Sequence, residues 1–125
     1  FDGTLTLRAA SCRWEEGDRL TIALEWQSLK PLSGQPAIFT HWLGPDGKLV
    51  AQADGEPLRG LYPLAQWEVG DVVQETRIIE GLPRQSQGTV AIGLWDPGSG
   101  QRLPALDAKG APLPDQALRI EECTP

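Results

Sequence analysis

The chain has no methionine, one histidine (His41), one tyrosine (Tyr62) and two cysteines among 125 residues, and each scarcity removes a class of chemistry. One His and two distant Cys give a transition metal too few converging nitrogen and sulfur ligands. A Ser-His-Asp triad would have to use His41. Yet no serine lies in a G-x-S-x-G context, and Ser99, in Asp-Pro-Gly-Ser-Gly, reads as part of a turn. No apolar run approaches the ~20 residues of a membrane-spanning helix, so this segment is not expected to insert into a bilayer itself. The eleven Lys and Arg are scattered through a chain of net charge −6 and form no run that could follow a phosphate backbone. Nucleic acid is therefore not an expected partner. Without a starting Met or a signal-peptide pattern at Phe1-Asp2-Gly3, the chain is expected to be excised from a longer protein, whose targeting or membrane segments would lie outside it.

What is present describes a single domain over residues 1–125, with 40% hydrophobic and 22% charged residues and enough length to bury a core. Fourteen Gly and eleven Pro punctuate the chain, and no helical periodicity is sustained between them, which is the rhythm of an all-β protein. In Leu20–Gln27, Leu20, Ile22, Leu24 and Trp26 share one face, so that side of the sheet is core. In Thr89–Trp95, Val90, Ile92 and Leu94 face inward while Ala91, Gly93 and Trp95 face the other way. Further strands are expected over 4–10, 37–43, 48–53, 72–79 and 117–121. About seven strands predict a single antiparallel β-sandwich of immunoglobulin-like or fibronectin-like build. Gly44-Pro45-Asp46-Gly47 and Asp96-Pro97-Gly98-Ser99-Gly100 have the chemistry of tight turns. Residues 103–114 read as a loop before the last strand, and 55–70 as a long crossover with one short helical turn near Leu64-Ala65-Gln66.

Several residues carry two readings. Asp46, Asp54 and Asp96 could join backbone carbonyls around a calcium ion, but beside Gly and Pro they read as turn formers. Seventeen acids allow many carboxylate pairs, and none is marked by context as a glycosidase pair. No metal, cofactor or catalytic residue is assigned. His41 lies on a strand with large apolar groups on both faces, which predicts a central strand and a buried or half-buried histidine in a structural role. Trp26 is the expected central packing residue. Trp14, Trp42, Trp67 and Trp95 cannot all be interior in so small a domain, so some should present an indole face at the surface. The candidate ligand patch is Trp42, Gln52, Asp54, Tyr62, Trp67 and Trp95, in which rings would stack on a sugar and polar groups would meet its hydroxyls. The competing reading is that Tyr62 and Trp67 pin the crossover to the sheet. Cys12 and Cys123 lie near opposite ends of the chain, and the sequence leaves open whether they pair.

Taken in order, Phe39-Thr40-His41-Trp42-Leu43, Gly-Pro-Asp-Gly, Leu49-Val50-Ala51-Gln52-Ala53-Asp54-Gly55-Glu56-Pro57, Tyr62-Pro63, Trp67-Glu68-Val69-Gly70-Asp71 and Gly93-Leu94-Trp95-Asp96-Pro97 form a pattern, closed by Gln101-Arg102-Leu103-Pro104. It resembles the C-terminal extracytoplasmic β-sandwich domain of bacterial polytopic membrane glycosyltransferases of the dolichyl-phosphate-mannose protein mannosyltransferase type, and of related membrane proteins. The resemblance runs from about Gly17 to Pro104. The chain departs from it at Trp42 and Gly44, where the family more often has Leu and Asp, and at Asp71 in place of Glu. The Gly at 44 weakens any shared metal or ligand site there. The resemblance implies a non-catalytic accessory domain outside a bacterial membrane, attached to the membrane-embedded part of its parent, with a glycan or polymer acceptor as partner. A module that braces the parent through protein–protein contacts, with no small-molecule ligand, is the alternative.

Overall fold

The computed structural model describes residues 5–15, 18–30, 37–52, 67–82, 88–106, 111–121 and 123. Ala53 at the end of the expected fourth strand, Asp54, and residues 55–66 of the expected 55–70 crossover, with Tyr62 and the turn at 64–66, lie outside the described residues.

Among the described residues, eight strands form two antiparallel sheets, and the protein is an all-β sandwich. Sheet A has the order β1-β2-β5, from Leu5–Glu15, Arg19–Ser28 and Val72–Glu80. Sheet B runs β4-β3-β6, from Leu49–Gln52, Ala37–Leu43 and Thr89–Asp96. Two further short strands, β7 at Gln101–Arg102 and β8 at Leu118–Ile120, also pair with β6. Because β3 occupies one edge of β6 along its whole length, β7 and β8 must share the other. They act as one edge strand in two pieces, and joining them recovers the seven-strand plan expected from the sequence.

The main core lies between the sheets. Leu20, Ile22, Leu24 and Trp26 of β2 face Ile38 and Trp42 of β3 and Val90, Ile92 and Leu94 of β6 across it. The alternation that marked β2 and the apolar row of β6 is thus the packing face itself. Trp14 and Trp42 meet edge to face with ring centroids 5.5 Å apart, a favourable arrangement for the two ring quadrupoles.

Strand β1 runs to Glu15 rather than ending near Ala10. A bulge between Leu7 and Ala9 resets its register against β2. Leu5 and Leu7 therefore pack on the core before the bulge, and Ala10, Cys12 and Trp14 after it. A single alternating pattern could not span that break.

The turns follow their residue chemistry. Gly47 has φ +80, and Asp46 Oδ1 accepts from Lys48 N at 3.0 Å. In the second turn Gly100 has φ +74, while Asp96 Oδ1 accepts from Gly98 N at 3.0 Å and Oδ2 from the Ser99 hydroxyl at 3.1 Å. Both aspartates are turn formers. Trp67-Glu68-Val69-Gly70-Asp71 is a turn too. Asp71 Oδ2 accepts from Glu68 N at 2.9 Å, and Gly70 N and Asp71 O bond the backbone of Ser28 at the end of β2. This motif delivers Trp67 into the core and sets β5 beside β2.

Cys12 and Cys123 form a disulfide. It joins the edge strand of sheet A to the residues just after β8 in sheet B, so it clasps one side of the sandwich.

Candidate functional site on the outer face of sheet B

The face of sheet B turned away from the main core is partly apolar. Phe39 of β3 and Ala91 of β6 are buried there with Ala117, and Leu43 and Trp95 pack around them. The cover comes from the chain between β7 and β8. Leu106 pairs with Pro112 in an isolated bridge, and Leu113 N donates to Ala105 O at 2.8 Å. A 3-10 turn at Pro114–Gln116 then crosses the sheet.

This strap is strained and held by arginines. Asp115 and Gln116 take φ +54 and +55, left-handed values that cost an L-residue roughly 1–2 kcal/mol each. Arg102 Nη1 donates to Asp115 O at 2.8 Å, and Arg119 Nη2 to Asp115 Oδ2 at 2.7 Å.

Gly93 makes room for the strap. A Cβ on it would lie 2.5 Å from the Phe39 ring and 2.9 Å from Gln116 O. Gly93→Ala is therefore expected to lower stability by about 1–3 kcal/mol through overpacking. Urea unfolding measures this, and an unchanged midpoint would contradict the close fit of strap and ring.

Beside the strap is a partly open cavity of about 200 Å³ lined by Phe39, His41, Gln52, Trp95, Gly100 and Arg102. Strand register explains the gathering. Gln52 pairs with His41, Phe39 with Gly93, and Trp95 with Arg102, and directly paired residues project to the same face. The Arg102 guanidinium lies 4.3 Å above the centre of the Phe39 ring, within cation–π range. The His41 ring is 4.8 Å from that of Phe39. A wider, open hollow of about 590 Å³, lined by Gln101, Arg102, Asp115 and Gln116, adjoins it across Arg102. Trp95 Nε1 is shielded from solvent and has no hydrogen-bond acceptor among the described residues.

Of the candidate patch, the structure brings Gln52 and Trp95 together. It removes Trp42 and Trp67, which are 3% and 6% exposed and sit in the main core. Their place in the ligand patch is corrected, while the burial of Trp67 fits the competing reading in which it pins its segment to the sheet. Trp42 shares the inward parity of Ile38 and Thr40 on β3, and the Asp71 turn carries Trp67 inward. Tyr62 and Asp54 lie outside the described residues. His41, expected to be buried or half-buried on a central strand, is half-buried on a strand flanked by β4 and β6. It also lines the cavity.

Arg102 and Phe39 were not in the expected patch. The Asp96–Gly100 turn held the signal for Arg102, since a hairpin closing there pairs Trp95 with the residue two past Gly100. Gln52 reaches this face for a reason no count could supply. Leu43 pairs with Leu49 but Trp42 with Ala51, leaving Val50 as a bulge. Without that extra residue, Gln52 would share the inner face of Thr40.

The chain matches no family model, no curated protein and no solved structure. Functional inference therefore rests on the residues and their geometry.

Proposed function

We propose that this domain is a non-catalytic, extracytoplasmic accessory module of a membrane glycosyltransferase-like protein, and that its outer-face cavity recognises a glycan or polymer acceptor. The carrying observation is the cavity, where two aromatic residues, a histidine, an amide and a guanidinium converge. Aromatic surface with a few polar groups is what a sugar ring requires, with its apolar face against a ring and its hydroxyls bonded at the rim. The volume suits one ring, being below the roughly 300–1,000 Å³ of larger ligand sites. The disulfide supports an oxidising compartment. Among the described residues, no helix is long and apolar enough to cross a membrane, in keeping with attachment through other parts of a parent.

The bracing role has its own support in exposed Leu29, Val69 and Val72, grouped around the hydrogen bonds between Ser28 and the 70–71 turn. Tryptophan emission separates the two roles. Trp14, Trp26, Trp42 and Trp67 are buried, so quenching on glycan addition reports chiefly on Trp95. Saturable quenching by some member of a glycan panel, lost in Trp95→Leu, is expected. Silence across the panel would favour bracing.

A further inference from the structure

We infer that the cavity takes a sugar bearing a carboxylate, a uronic acid residue, and that Arg102 is the residue that selects it. This rests on the glycan-recognition reading and specifies its ligand. Arg102 is half-buried, and among the described residues its one hydrogen bond is the donation from Nη1 to Asp115 O. No carboxylate pairs with it among the described residues, since the acid of that turn, Asp115, is engaged by Arg119. A partly desolvated cation gains from an anionic partner, and a guanidinium has five N–H donors, most of them here unused. The described residues lining the cavity include no acid, although the chain as a whole carries net charge −6. The described lining of the cavity thus carries a cation and no acid on a protein that is acidic as a whole.

The form of the anion follows from the same residues. A single planar fork matches a monoanionic carboxylate in two parallel bonds. A phosphate, with up to two charges, is better served by several cations, and Arg102 is the one Lys or Arg among the described lining residues. The Arg102 guanidinium rests 4.3 Å over the Phe39 ring, a contact that holds it at the cavity before a ligand arrives. Trp95, half-buried at the cavity wall, offers aromatic surface for the ring that bears the carboxylate, and Gln52 and His41 lie where its hydroxyls would reach. The adjoining hollow across Arg102 leaves space for the next residue of a chain.

The test uses the whole 125-residue chain titrated with glucuronate, glucose and acetate, read by Trp95 emission and by calorimetry. Glucuronate is expected to bind at least about tenfold more tightly than glucose, the lower end for a hydrogen bond to a charged group, and to weaken with added salt. Arg102→Gln should bring glucuronate down to the glucose level, and Arg102→Lys should lose most of the preference. Equal binding of glucose and glucuronate would overturn the carboxylate inference while leaving glycan recognition standing. Acetate binding as tightly as glucuronate would leave an anion site and overturn both sugar readings, as would no binding at all. Undiminished glucuronate binding by Arg102→Gln would overturn the role of Arg102. The ratio of glucuronate to glucose needs no variant, so it decides even if Arg102→Gln fails to fold. Gln52→Ala, on the exposed short strand β4, gives a second variant and should weaken both sugars together.

Discussion

Replacing Glu75 with alanine is expected to lower the stability of the domain by about 3–5 kcal/mol, the range for breaking a buried ion pair from one side. Glu75 and Arg77 lie on the inward face of β5, 5% and 8% exposed, between Val73 and Ile79. The carboxylate accepts from Trp26 Nε1 at 3.2 Å and from Arg77 Nε and Nη2 at 3.3 and 3.2 Å. Glu75→Ala removes that acceptor and that charge together, beneath the central tryptophan of the core. Replacing both partners, as in Glu75→Leu with Arg77→Met, should recover much of the loss, because a buried pair often contributes little net stability over apolar residues of similar size. Guanidinium unfolding of the three proteins provides the comparison. A loss below about 1 kcal/mol for Glu75→Ala, the range of exposed pairs, would contradict the burial of this pair.

The disulfide carries the second large effect. It closes a separation of 111 residues, and a loop of this order is worth about 4–5 kcal/mol in the chain-entropy model. The Cys12→Ala, Cys123→Ala double variant should melt roughly 15 °C below the parent, by the usual unfolding entropy of a domain this size. The Cys12 side chain is also in the core, so the loss combines constraint with packing. Thermal melts with and without a phosphine reductant make the measurement, and a shift under about 3 °C would contradict the clasp.

These two features show where the sequence could and could not be read. Strands β2, β3 and β6 follow from it to within a residue at each end, because apolar alternation or an unbroken apolar run spans them. Strand β5 is also found, but its facing is not legible. Val72 and Ile78 compete with Val73 and Ile79 for the core, and the inward set carries Glu75 and Arg77 while Val72 and Ile78 are exposed at 44% and 38%. Register decides the matter by placing Trp26 opposite Val73. The full length of β1 and the facing of Gln52 are hidden for a related reason, since a bulge changes parity without a marker that pattern alone can use.

The candidate site was legible in part. Trp95 was placed by strand parity away from the apolar row of β6, and that placement holds. Sequence does not separate Trp42 and Trp67 from it, because aromatic side chains serve a core and a sugar platform equally well, and only tertiary packing distinguishes the two uses. The central strand of His41 points to a structural role. Its cavity position depends on pairing with Gln52, hence on the Val50 bulge. The strap over Phe39 was invisible, because its cause is the interruption of an edge strand between β7 and β8 and no local pattern announces it.

The claim that glycan recognition occurs on the outer face of sheet B is tested most directly by the indole N–H resonances of the five tryptophans during titration with the glycan panel. The shielded N–H of Trp95, without an acceptor among the described residues, should shift saturably with an active glycan, while those of Trp14, Trp26, Trp42 and Trp67 stay in place. A titration that shows binding by calorimetry but leaves the Trp95 resonance unmoved would contradict the site.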